Sequence, residues 1–515
     1  MRTFGHLAKL RSRWGAFGGL TVGCAMLAAL AAGHGQPSFF GKFLPNGVFF
    51  PNPNGASQTY SSNGGIDLRG PFFQSLGSNG RTCASCHTVA DAMGLSAATA
   101  EQVFRATRGM DPLFRPVDGS NCDHDIDVST LEGREAAYSL LRTRGLFRIA
   151  IAVPPNANYR VMSVSNPYGC NDSENLSMYR RPLPATNLRF LSAVMSDGRE
   201  SSPLTGTQKI TYGDDAPALL SDLEHQALDA TLGHAQANEP GPTAAQLLAI
   251  AQFELGLTSA QSFDRGAGLL WADGAKGGPA ALVAQPFFIS INSSVNPLFP
   301  LLEQPGGLTT PGDGQFTPAI FHAFDAWANL PPRDSRAAIA RGEAIFNSKT
   351  FAITGVAGLN DAAAQGGLAP GGIASIQGTC GTCHDTPNVG DHSFATPLDI
   401  GTGDPDPGDA SVNLGGLDIG YLPRITVCKL DPNTGQPTSD CKTTSDPGQA
   451  LIDGNFDHVG KIKGPILRGL AARAPYFHNG SAQTLLDVVR FYEKRFGLVL
   501  TPQEESDLVA FLRSL

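Results

Sequence analysis

The sequence predicts a mainly α protein of two domains with long irregular loop insertions. Three observations lead there. The pattern C-x-x-C-H occurs twice, as Cys83-Ala84-Ser85-Cys86-His87 and as Cys380-Gly381-Thr382-Cys383-His384. Segments with helical character follow each copy, most plainly Leu485, Val488, Val489 and Tyr492 at i, i+3, i+4 and i+7. Elsewhere the 515 residues are rich in Gly (60) and Pro (37), the residues that punctuate turns and loops.

Two cysteines three positions apart on a tight turn can reach both vinyl groups of one porphyrin and form thioethers. The histidine that follows can then ligate the iron from one face. The motifs therefore predict two covalently bound haem c groups, one on Cys83 and Cys86 and one on Cys380 and Cys383, with His87 and His384 as iron ligands. The two domains are then cytochrome c-like haem domains. A zinc or redox C-x-x-C pair is the competing reading. Zinc would need two more Cys or His at knuckle spacing near each copy, and the sequence has none there.

Taken in order, residues 1–33 read as a signal peptide. Arg2, Lys9, Arg11 and Arg13 precede an apolar run from Trp14 to Ala32 that ends in small residues. An uncleaved anchor helix is the alternative. Cys24 lies inside the run with apolar residues after it, unlike a lipid-attachment cysteine. Cleavage would remove four bases and no acids, taking the formal charge from −9 to −13. That balance excludes nucleic acid as a partner and suits a small basic electron carrier or a neutral substrate. An apolar content of 41% is ample for a core.

Residues 34–332 are read as the N-terminal haem domain and 333–515 as the C-terminal one, with Pro331-Pro332 at the divide. Helices are expected at 97–107, at 216–232 with Leu220, Leu223, Ala227 and Ala230 on one face, at 243–257 and at 318–330. Residues 109–185 read as an ordered insertion with little helix and short strands such as 147–153, and 258–315 as irregular apart from an apolar run at 287–291. Asp334 or Ser335 caps a helix through Phe346. A long loop follows the second motif to about Gly460. Thr501-Pro502-Gln503-Glu504 is a capping box before a last helix that buries Leu508, Phe511, Leu512 and Leu515. The four remaining cysteines form two local pairs, Cys122 with Cys170 and Cys428 with Cys441, which an oxidising compartment would bridge.

Function turns on the second axial position of each iron. A filled site moves electrons and an open one binds peroxide or dioxygen. No methionine follows Met195, so the candidates for the second haem are His392, His458, His478, Tyr492 and nearby lysines. For the first haem Met93, Met110, His124, Met195, His225 or His234 could ligate, or no residue at all.

Several segments, in order, resemble the bacterial di-haem cytochrome c peroxidases and the related MauG-type enzymes, which oxidise tryptophans of a partner protein. They are the two motifs, Ser196-Asp197-Gly198-Arg199, Leu223-Glu224-His225-Gln226-Ala227, Leu467-Arg468-Gly469-Leu470 and Ala474-Pro475-Tyr476-Phe477-His478-Asn479-Gly480-Ser481. The resemblance implies hydrogen peroxide as substrate at the N-terminal haem and a six-coordinate relay at the C-terminal one. The relay's second ligand, fourteen residues after His478, falls at Tyr492, as in the MauG-type branch. A histidine that blocks the first haem in the peroxidases falls at Val103, which implies an open site. Gln226 matches a distal-pocket glutamine. The catalytic glutamate falls at Gln236, which leaves His234 or Glu239, and less readily His225, as the base.

Ser196 stands where the family has an inter-haem tryptophan; Trp271 or Trp327 could substitute, though a core role suits each better. The asparagine of the family's calcium site falls at Arg181, which leaves calcium in doubt. The implied protein is a periplasmic peroxidase-like oxidoreductase taking electrons from a cytochrome c, a cupredoxin or a protein substrate. Its competitors are a non-enzymatic electron-transfer cytochrome and a dioxygen-dependent di-haem oxygenase.

Overall fold

The computed structural model describes residues 41–515 except 125, 192, 202–215, 286–318, 362–371, 388 and 390–396. The expected signal peptide, the apolar run at 287–291 and His392 lie outside the described residues.

Helices form where capping and periodicity coincide. α1 (Ala97–Thr107) begins where Ser96 Oγ accepts the Thr99 N–H at 3.0 Å. α2 spans Ala216–Gly233 and α3 spans Ala244–Leu255, the latter capped reciprocally by Thr243 and Gln246. α4 (Ser335–Ser348) is capped by Asp334, whose carboxylate accepts the Arg336 N–H at 2.9 Å. α5 (Leu485–Phe496) and α6 (Pro502–Leu512) close the chain, and the Thr501–Glu504 box is formed as expected. Both cysteine pairs are disulfides.

α4 lies directly on α6. The close approach requires glycine at 342, because a Cβ there would sit 2.0 Å from the Asp507 carbonyl oxygen. Arg341 fixes the pair with two bonds to Asp507, at 2.7 and 2.9 Å. Beneath them Phe321, Phe324, Trp327, Phe346 and Phe511 form an aromatic core on which the second motif rests. A second core, including Phe72, Val89, Met93, Ala227 and Ile250, packs against Cys83 of the first motif.

The mainly α expectation is overturned. Helix accounts for 32% and strand for 20% of the chain, and the strands form five antiparallel sheets among the described residues. The segments read as irregular supply most of them. Leu257–Asp264 pairs with Gly55–Ser61 in a four-stranded sheet, and Arg424–Leu430 lies between Pro437–Thr444 and Tyr159–Ser165 in a three-stranded one. These strands bury hydrogen-bonded polar side chains, so they lack the alternation that marks a half-buried strand. Ser259 Oγ, for example, meets Thr59 at 2.7 Å and Thr186 at 3.0 Å, and Asn52 donates to Gln261 at 2.8 Å.

The three-stranded sheet joins residues from both sides of position 332, and Leu515 O accepts the Gln261 N–H at 2.9 Å. Among the described residues no helix is long and apolar enough to cross a membrane.

Candidate functional site

The two C-x-x-C-H segments fold alike. Each is a single 3-10 turn, Cys83–Ser85 or Cys380–Thr382, with a reciprocal cap from the preceding threonine, Thr82 or Thr379. The His87 N–H reaches Cys83 O at 3.0 Å and the His384 N–H reaches Cys380 O at 2.9 Å. Each ring gives Nδ1 to a backbone carbonyl, Met93 O at 3.2 Å or Val389 O at 3.3 Å. An accepting carbonyl puts the proton on Nδ1 and leaves Nε2 its lone pair, the form an iron ligand needs. Burial pushes both imidazoles down to about 4. None of the four motif cysteines is in a disulfide, and burial pushes the Cys83, Cys86 and Cys380 thiols up to about 12.

Cys83, Cys86 and His87 open onto a cavity with about 1470 Å³ of empty space, its mouth included. Its walls are apolar (Leu183, Leu188, Leu191, Leu223, Ile250 and Ile466) with Arg180, Arg181, Arg199 and Lys463 among them. Two free thiols, a ligand-ready imidazole, apolar walls and cations suited to propionates fit a haem.

Gln226 and His234 line this cavity. His234 Nδ1 donates to Asp118, and Asp118 also accepts from Arg81; Asp118 and Arg81 are buried and line the same cavity. Burial works to raise the Asp118 carboxyl, but His234 and Arg81 outweigh it and hold it below its ordinary range. Gln236 and Glu239 do not line the cavity. The Gln236 amide oxygen accepts from Asn79 at 3.2 Å, and Glu239 is exposed. His225 turns instead to Glu200, at 2.7 Å. Val103 is buried in α1, in the cluster packed against Cys86.

Glu254 escaped the sequence reading. It is buried on α3, its Oε2 has no partner, and it lines the cavity. Burial pushes it up to about 8. Nothing in the local sequence marks it, because α3 reads simply as an apolar helix.

Tyr492, on α5, packs against the same apolar cluster as Cys380 and Cys383. Burial, with a smaller effect of those two cysteines, raises its phenol well above the ordinary value. No hydrogen bond to its hydroxyl is seen among the described residues, whereas Tyr159 donates to Ala450 O at 3.0 Å and Tyr476 to Leu470 O at 3.1 Å. His478 is buried with Nε2 unpartnered, and it lies 3.8 Å from Asp446. Ser196 lines the first cavity. Trp327 is buried in the C-terminal core and donates to Ala272 O at 3.1 Å, while Trp271 is 40% exposed. At the expected calcium position Arg181 donates to the carbonyls of Arg144 (2.9 Å), Leu95 (2.6 Å) and Arg473 (2.8 Å). A guanidinium thus occupies carbonyl oxygens of the kind calcium would take.

Comparison with known proteins adds the following. The chain resembles cytochrome-c peroxidases over part of its length. It is 33% identical over 153 residues to cytochrome-c peroxidase IdrP2 of Pseudomonas sp. (strain SCT), a match spanning 28% of this chain and 38% of the relative. It is 38% identical over 81 residues to cytochrome-c peroxidase IdrP1 of Denitromonas iodatirespirans, 14% of this chain and 22% of that one. The chain thus spans well under half the length of the curated relatives it matches. No protein-family model matches. A solved MauG-like protein associated with microbial copper homeostasis aligns over 86% of this chain and 87% of its own at 15% identity, with a TM-score of 0.31 that carries no argument about fold.

Proposed function

We propose that the chain is an exported, periplasmic di-haem c-type oxidoreductase that reduces hydrogen peroxide. Cys83, Cys86 and His87 would hold the haem at which peroxide reacts. Cys380, Cys383, His384 and Tyr492 would hold the relay haem, fed by a small cytochrome c or cupredoxin or by a side chain of a protein substrate. Bound haem supplies the redox-active iron. The chain supplies the surroundings: Gln226 offers an amide to orient the small substrate, His234 a site for a proton, and the leucine-rich walls exclude bulk water.

The observation that carries this reading is asymmetry. The first motif faces a cavity that Gln226 and His234 also line, while the second packs against the same apolar cluster as Tyr492, whose hydroxyl has no partner among the described residues. A phenolate donor suits an iron that must hold a high oxidation state.

The test is the ferric spectrum of the haem-loaded protein, followed by stopped-flow mixing with one equivalent of peroxide, for wild type and Tyr492→Phe. One high-spin and one low-spin haem are expected, with a rapid peroxide-induced spectrum that the variant loses. Two low-spin haems inert to peroxide would leave a simple electron-transfer cytochrome. Consumption of dioxygen with an alkene would make the protein an oxygenase.

A further inference from the structure

We propose that Asp118, braced by Arg81, is the positioning residue for His234 and makes that histidine the proton-transfer group of the first cavity. The inference rests on the peroxide reading and goes beyond it by assigning the base and what aims it.

The sequence left His234, Glu239 and, less readily, His225 as the base, with an amide, Gln236, where the family's glutamate falls. Glu239 is exposed and outside the cavity, and His225 is also outside it, bonded to Glu200. His234 alone of the three shares the cavity with Cys86 and His87. Its position is fixed at both ends. Its carbonyl accepts from Asn79 Nδ2 at 2.8 Å and from Arg81 at 3.1 Å, and its ring gives Nδ1 to Asp118. Arg81 is tied in turn to Pro112 O and Leu113 O, each at 2.9 Å. A carboxylate that accepts Nδ1–H sets the tautomer and leaves the Nε2 lone pair free. Arg81 already balances Asp118, so His234 meets an acceptor rather than a net negative charge. The other charged or titratable groups lining the cavity are Glu254, Arg180, Arg181, Arg199 and Lys463.

The step balances as follows. His234 Nε2 takes the proton from one peroxide oxygen and returns it to the other, which leaves as water when the O–O bond breaks. Two electrons from the reduced donor protein and two protons from solvent complete the second water, and His234 ends unchanged.

Cyanide gives a readout that needs no turnover. Hydrogen cyanide must lose its proton when the anion binds ferric haem, so its association rate reports a nearby base. On haem-loaded protein, His234→Ala should slow both cyanide association and the peroxide reaction by about 10²–10⁴-fold. Asp118→Asn should slow both at least roughly ten-fold and alter the pH profile, Asp118→Glu should recover part of the rate, and the double variant should lose little beyond His234→Ala.

His234 is half-exposed, 46% for its side chain, so its variant tests the base even if Asp118→Asn does not fold. Wild-type rates and pH profile in His234→Ala would overturn the base. The same result in folded Asp118→Asn would overturn its positioning role. If wild type ignores peroxide while cyanide binding still depends on both residues, the peroxide reading falls and the pair stands. If wild type reduces peroxide and the variants match it, the pair falls alone.

Discussion

Replacing Asp446 with Asn should destabilise the protein through the charge it leaves behind. Arg180 is buried, with Nε and Nη2 on Asp446 at 2.6 and 2.8 Å and Nη1 on Asp197. An amide can accept only one of the two Asp446 bonds and brings no negative charge. Breaking one side of a buried ion pair costs about 3–5 kcal/mol. Asp197 remains, and Arg199 shares it at 2.7 Å, so the lower end, about 3 kcal/mol, is expected. With a urea slope of roughly 3 kcal/mol/M, the midpoint should fall by about 1 M.

The pH dependence fixes the sign. Burial works to raise both carboxyls, but Arg180 outweighs it and both lie below their ordinary range. A depressed carboxyl gives its full stabilisation above an unfolded value of about 3.9 and loses it as pH falls. The gap between wild type and variant should therefore be full at pH 7 and shrink in acid. Urea unfolding of the haem-loaded protein by circular dichroism at both pH values measures it. A gap under about 1 kcal/mol at pH 7, or one that widens in acid, would refute the reasoning, since it would mean Arg180 was never short of a partner.

Glu254→Gln should flatten another pH dependence, of opposite sign. The folded carboxyl is raised to about 8, so its contribution is full below the ordinary carboxylate range and declines as pH rises towards 8. Wild type should lose stability relative to the variant between pH 5 and 8 in the same urea assay. Phe511→Ala should cost about 3–5 kcal/mol, because the ring is fully buried against Phe321, Phe324 and Phe346. Phe346 lies 6.3 Å from the His384 ring, so the absorption spectrum of haem at the proposed second site should shift with the loss.

What the sequence made legible was local. The motif turns, the Thr501 box, α5 and the disulfides each depend on residues close in the chain or on a simple pairing of cysteines. Long-range contacts hid the rest. Asp118 meets His234 across 116 positions, and no spacing rule joins them. The helix expected over 318–330 is only a 3-10 turn, Asp325–Trp327, among the described residues. Glu343 on α4 takes the Ala323 and Phe324 N–H groups at 2.7 and 2.9 Å, fixing that backbone from outside. The polar strand at 257–264 was missed because Ser259 and Gln261 are buried against Thr59 and Asn52 across the sheet, where alternation has nothing to detect.

Arg181 carries one further consequence. Its side chain joins Leu95, just before α1, and Arg144 to Arg473, just before Tyr476, through three main-chain oxygens. A tether built from the chain's own covalent structure cannot be stripped out by a chelator, nor can its occupancy follow the concentration of a divalent ion. Where a divalent ion would make the coupling of these three segments adjustable, a guanidinium makes it permanent from the moment the protein folds.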